Sequence, residues 1–200
     1  IGDGTDTVNV NGITATVGND VTITNSGWTT GNEINAVGTT AITTTLDITG
    51  GSINSGTVTV ESTAGSIFDL GGVALNGPAS LTAFRDINGV DFSALTNVTF
   101  LAGNNIVGGS VSSGLIDPAD PLNPLGFGNV TLTATAGSID GVDIFALNDA
   151  GALNVVMLTA GQNINGGSIE AFSNVELRNT LGDVSGIELN VGGDLTIGDG

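Results

Sequence analysis

The sequence predicts an all-β solenoid, a right-handed parallel β-helix of about nine coils of roughly 20 residues each. Three observations predict it. Short apolar–polar alternations recur along all 200 residues. Gly-rich corners separate them at repeating distances. Thr, Val and Ile are abundant while helix formers are few, which favours strands.

The alternations share one phrase, a small polar residue, an aliphatic residue, Thr or a substitute, then another apolar residue. It reads Asp20-Val21-Thr22-Ile23, Ser80-Leu81-Thr82-Ala83, Asn97-Val98-Thr99-Phe100 and Asn129-Val130-Thr131-Leu132. Weaker copies begin at Ala41, Thr57, Asn154, Asn174 and Asp194. Period-2 alternation is the mark of a half-buried strand. The starts at 20, 41, 57, 80, 97, 129, 154, 174 and 194 give intervals of 21, 16, 23, 17, 32, 25, 20 and 20 residues.

A second phrase follows each first one: polar, aliphatic, polar, Gly. Examples are Asp47-Ile48-Thr49-Gly50, Asp86-Ile87-Asn88-Gly89, Ser138-Ile139-Asp140-Gly141, Asn163-Ile164-Asn165-Gly166 and Asp183-Val184-Ser185-Gly186. A third strand follows the Gly, so each unit holds three short strands and tight turns. Stacked coils bury the aliphatic residues above one another, about 4.8 Å apart. The recurring Asn97, Asn129, Asn154 and Asn174 are expected to form an amide ladder at one corner. Unequal coils suit the right-handed form, since the left-handed one reads as strict six-residue repeats. The competing fold is a β-sandwich of meanders, which needs hairpin loops and no fixed register of Asn and Gly.

One stretch breaks the rhythm. Residues 112–128 hold three of the four prolines, and Pro cannot donate to a ladder. An inserted Pro-rich loop is predicted there. It is either a tolerated insertion at a corner or a lateral contact surface built from Leu115, Ile116, Leu122, Leu125 and Phe127.

Composition narrows the function. There is no Lys, His, Cys or Tyr, and the net charge is -18 with two cations, Arg85 and Arg178. Cys nucleophiles, catalytic His, Schiff-base Lys and Cys/His zinc sites therefore lack their residues. Binding to phosphate backbones needs clustered cations, so no nucleic acid is expected. No run of 18 apolar residues is present, so no membrane insertion by helix is expected. An N-terminal basic region with an apolar core is missing from this stretch, which places any export signal outside it.

Asn129-Val130-Thr131-Leu132-Thr133-Ala134-Thr135-Ala136-Gly137-Ser138-Ile139-Asp140-Gly141 and Leu158-Thr159-Ala160-Gly161-Gln162-Asn163-Ile164-Asn165-Gly166 resemble repeats of filamentous-haemagglutinin-like exoproteins. The resemblance covers residues 57–200 well and 1–56 loosely. It implies a secreted bacterial β-helix of the two-partner-secretion adhesin type.

Candidate sites compete with plain structural roles. Gly2-Asp3-Gly4-Thr5-Asp6 fits the core of a calcium nonapeptide, but that motif works in consecutive copies and none follows; an acidic turn with no metal is the expectation. The carboxylate pairs Asp140/Asp143, Asp86/Asp91 and Asp117/Asp120 read as solvated corner acids. Arg85-Asp86 with Asp91 is the one spot offering Arg and acids for a carbohydrate-active β-helix. Trp28 and the Phe residues read as packing. Asn97-Val98-Thr99 and Asn129-Val130-Thr131 match the glycosylation pattern, yet both Asn occupy the ladder position.

The leading expectation is therefore a non-enzymatic structural module without cofactor, a rigid extracellular or cell-surface stalk, filament or surface layer with an adhesive role. The alternative is a carbohydrate-active or carbohydrate-binding β-helix. The chain begins Ile1-Gly2-Asp3-Gly4 and ends Ile197-Gly198-Asp199-Gly200. Residues 1–200 are thus expected to be a single uncapped segment of a tandem array with a period of 196 residues. Head-to-tail assembly of separate subunits competes with that reading. The expected partners are neighbouring copies, end to end, and a cell-surface or glycan receptor.

Overall fold

A computed structural model describes residues 9–25, 27–114, 116–117, 120–124, 127–146 and 155–199. For residues 9, 116–117 and 120–124 only the backbone is described. Three sheets of nine parallel strands wrap around one interior. Each coil contributes one strand to each sheet. The first sheet runs from Asn9–Val10 to Val184–Ser185, in two-residue strands. The second runs from Thr14–Val17 to Glu188–Val191, in four-residue strands. The third runs from Val21–Asn25 to Leu195–Asp199, in strands of five or six. Nine strands at the usual spacing carry the chain about 38 Å along the axis.

Period-2 alternation decides which residues enter the interior. In the third sheet Ile23, Ile42, Val60, Leu81, Phe100, Leu132, Leu158 and Leu177 stand one above another in register. All are buried. Trp28, Ile48, Ile67, Ile87, Ile106, Ile139 and Ile164 make the matching row of the first sheet. Burying each such side chain stabilises by about 1.5–3 kcal/mol. Trp28 is 0 % exposed and its Nε1–H donates to the Gly50 carbonyl at 2.9 Å. In the second sheet the row Ile34, Ile53, Gly72, Phe92, Val111 has one residue without a side chain. A Cβ there would stand 2.7 Å from Phe92 Cζ and 2.2 Å from the Ile53 carbonyl oxygen. Phe92 fills the space that Gly72 leaves.

The Gly of the second phrase turns the chain from the first sheet into the second. Each coil needs a left-handed residue there: Gly12, Gly31, Gly50, Asp69, Gly89, Gly108, Gly141, Gly166 and Gly186, with φ between 51° and 82°. Asp69 is the one residue with a Cβ in that column, and Asp tolerates this region better than most.

The register corrects three of the phrase starts. Thr39 and Pro78, two residues earlier than the starts at Ala41 and Ser80, occupy the column of Asp20 and Asn97, because Ile42 pairs with Ile23 and Leu81 with Phe100. Val155 pairs with Asn174, so the column passes through Val155 and not Asn154; Asn154 itself lies outside the described residues. Interior volume sets the register, and the polar prefix of the phrase slides around it.

The inserted loop is shorter than the sequence suggests. Ser112 and Ser113 belong to the second-sheet strand Ser110–Ser113. Ser113 is fully buried and its hydroxyl donates to the Gly128 carbonyl at 2.9 Å. Within the loop, Ile116–Asp117 and Asp120–Pro124 form a two-stranded antiparallel ribbon.

Candidate functional site

Sheet ladders leave the turn N–H groups at two corners without strand partners, and buried or half-buried N–H groups need acceptors. Side chains supply them. From Asp47 to Asp183, a short polar side chain before one first-sheet strand accepts the backbone N–H of its counterpart one coil on. Ser66 N–H donates to Asp47 Oδ1 at 2.8 Å, and Asp86 N–H to Ser66 Oγ at 3.3 Å. Asn105 N–H and Nδ2–H both donate to Asp86 Oδ1, each at 3.0 Å. Ser138 N–H donates to Asn105 Oδ1 at 2.9 Å, and Asn163 N–H to Ser138 Oγ at 3.2 Å. Asp183 N–H donates to Asn163 Oδ1 at 2.8 Å. This chain of links is unbroken from Asp47 to Asp183.

The corner before the third sheet carries the expected Asn column in sparser form. Thr39 N–H donates to Asp20 Oδ1 at 2.7 Å, and Asn129 N–H to Asn97 Oδ1 at 2.8 Å. Val155 N–H donates to Asn129 Oδ1 at 2.7 Å, and Asp194 N–H to Asn174 Oδ1 at 2.8 Å. The expectation of amides pairing with amides is thereby corrected. Each side-chain oxygen holds the backbone of the next coil, so Asp serves as well as Asn.

The carboxylates picked out in sequence fall into separate rows. Asp86 belongs to the corner ladder. Asp91 lies in the outer row of the second sheet, where Ser110 N–H and Oγ–H donate to its Oδ1 at 2.8 and 2.9 Å. Arg85 is exposed at its corner. Asp140 and Asp143 likewise sit on the first and second sheets; Asp140 Oδ1 accepts Asn165 Nδ2–H at 3.0 Å and Asp143 Oδ1 accepts Ser168 Oγ–H at 2.8 Å. The Asp117 and Asp120 side chains, and the whole of Asp3 and Asp6, lie outside the described residues. Among the described residues no group of three or more His, Cys, Asp or Glu could hold a metal.

Acids in these rows are spaced. Asp91 stands between Gly71 and Ser110, Asp143 between Ser110 and Ser168, Glu170 between Phe145 and Asn190, and Glu61 between Thr43 and Thr82. Within the described parts of the three sheets and the two corner ladders, no carboxylate stands directly opposite another in its own row on the adjacent coil. Like charges directly opposite destabilise a sheet, and this spacing lets a chain of charge -18 stack.

One surface hollow went unseen in the sequence. On the C-terminal half of the second sheet the small side chains of Ser110, Ser112 and Ser168 leave a depression of ≈ 260 Å³ beside the outward ring of Phe145. Two further hollows of ≈ 150 and ≈ 280 Å³ adjoin it, their linings including Phe172, Glu188 and Asn190, and all three share Glu170. The signal was present in Asp143-Ile144-Phe145-Ala146, whose alternation places Phe145 outward.

Comparison with known protein families, with curated proteins and with solved structures finds no match for this chain. The solenoid geometry agrees with a β-helix repeat protein; membership of the filamentous-haemagglutinin-like exoproteins stays a matter of repeat resemblance.

Proposed function

We propose that the chain is a structural module, a length of rigid stalk or filament at a cell surface or outside the cell. The observation that carries this reading is the continuity of the corner ladder from Asp47 to Asp183. Side-chain links at the turns reinforce three parallel sheets, so each coil is fixed to the next on every side. Such a stack resists bending and local opening, which suits a spacer that holds something away from a surface. Repeat resemblance to secreted adhesins points the same way, and so does a composition nearly free of Lys and Arg.

Neighbouring copies are the proposed axial partners. Leu195 and Ile197 continue the interior rows of Val175 and Leu177, and are 44 % and 54 % exposed. A further coil laid on them, from continuing chain or another copy, completes the rows. Electron microscopy of the 200-residue chain at increasing concentration tests this. The proposal expects rods one solenoid wide that lengthen with concentration and are lost in the Leu195→Lys, Ile197→Lys variant. Globular monomers at all concentrations, or irregular clumps unaffected by that variant, would contradict it.

A further inference from the structure

We propose that the hollow around Glu170 and Phe145 is a docking groove for an extended, arginine-bearing peptide segment. This goes beyond the structural role and does not depend on it.

Charge complementarity chooses the partner. Asp143, Glu170 and Glu188 line the adjoining hollows on successive coils. Asp143 and Glu188 share one outer row, and Glu170 stands in the other, two residues along its strand. The three carboxylates therefore zigzag up the axis at steps of about 8 Å, from a rung of about 4.8 Å and two residues of about 3.3 Å each. The chain brings no cation to them. Arg178 pairs with Glu176 on the third sheet, and Arg85 lies at the corner before the first sheet.

Phe145 narrows the choice from any cation to a planar one. It is the single aromatic among the outward residues of the second sheet in the described chain. Its ring is half-buried, with Glu170 on the adjacent coil and Asp143 two residues earlier on its own strand. A guanidinium can lie on an aromatic face while its N–H groups reach a flanking carboxylate. An extended segment presents alternate side chains about 6.6–6.8 Å apart, near one step of the zigzag, so two successive arginines reach Glu170 and either Asp143 or Glu188. Ser110 and Ser168 leave room for the aliphatic stems, which pack on apolar surface with the charge outward.

The test titrates the 200-residue chain with a labelled Gly-Arg-Gly-Arg-Gly-Arg-Gly peptide at about 150 mM salt, where charges beyond about 8 Å are screened. Glu170→Gln is expected to weaken binding about fivefold or more. Glu33→Gln removes the same charge at the far end of the same sheet and is expected to change it less than about twofold. Phe145→Leu keeps the apolar bulk and is expected to weaken binding about two- to fivefold. Circular dichroism checks that each variant keeps the fold of the parent. Equal weakening by Glu33→Gln and Glu170→Gln would show attraction to general negative charge and overturn the site. So would an unchanged affinity in Phe145→Leu. Spermidine binding as tightly as the peptide, with the same dependence on both residues, would overturn the assignment to a peptide.

Discussion

The Oδ1 of Asn97 accepts the backbone N–H of Asn129 at 2.8 Å, across 32 residues of sequence and one coil of the solenoid. At the first coil Asp20 does the same for Thr39. Where a side chain of this column caps the next coil, it does so with an oxygen on a short stem, from carboxylate or amide alike.

Asn97→Leu is therefore expected to cost about 0.5–1.5 kcal/mol, the usual net value of one such bond. Asn97→Asp is expected to be near neutral, since its column neighbours Pro78 and Asn129 are uncharged. Thermal or urea unfolding of the two variants checks this. Equal losses in both would show that the amide N–H groups matter and restore the paired-amide ladder.

Asn105→Asp and Asn174→Asp should behave differently from Asn97→Asp. The first puts a carboxylate one coil from Asp86, and the second one coil from Asp194. Two charges about 4.8 Å apart in water repel by about 1 kcal/mol. Repulsion needs both groups ionised, so it raises the folded-state pKa of one member. The loss is present at neutral pH and disappears as pH falls below about 4. Stability curves against pH for each variant and its parent should converge in acid; a gap independent of pH would contradict the spacing argument.

Two glycines separate backbone strain from steric crowding. Gly108 has φ 60° with open space where a Cβ would go. Gly108→Ala should cost about 1–2 kcal/mol from the left-handed backbone alone. Gly72 has no such φ, but a Cβ there meets Ile53 and Phe92. Gly72→Ala should cost about 1–3 kcal/mol by overpacking, and the added variant Phe92→Leu should recover part of it. Absence of that recovery would mean the Ile53 carbonyl, not the ring, is the obstacle.

Trypsin has Arg85 and Arg178 as its cleavage positions. Arg85 is exposed, yet its N–H donates to Gly65 O at 3.0 Å and its carbonyl accepts Asn104 N–H at 2.8 Å. Cleavage there needs the corner to open. The chain should survive trypsin under native conditions, with cleavage at Arg85 rising with urea in step with opening. Rapid native cutting after Arg85 would contradict a corner held on both sides.

Much of the fold was legible because interior rows and left-handed corners restrict residue type. Ile48, Ile87, Ile139 and Ile164 announce themselves as inward positions, and Gly50, Gly108 and Gly166 as turns. The column of Asp20 and Asn97 was harder, because Thr39, Pro78 and Val155 also occupy it and only packing of Ile42, Leu81 and Leu158 fixes the register. The continuous corner ladder was hidden for a related reason. Asp47, Ser66, Asp86 and Asn105 share a bond and no residue name. The hollow at Phe145 depends on small side chains from coils 33 and 25 residues away in sequence, a proximity that only stacking creates.

The central claim is that coils follow one another at a fixed axial step. The absence of cysteine makes a paired spin label direct. Thr43 and Thr159 lie in one outer row of the third sheet, joined through Glu61, Thr82, Leu101 and Thr133. Five steps place their attachment points about 24 Å apart. Pulsed electron paramagnetic resonance on the Thr43→Cys, Thr159→Cys chain should give one narrow distribution near that separation, widened by the label arms. A broad distribution, or a peak far from it, would contradict the solenoid.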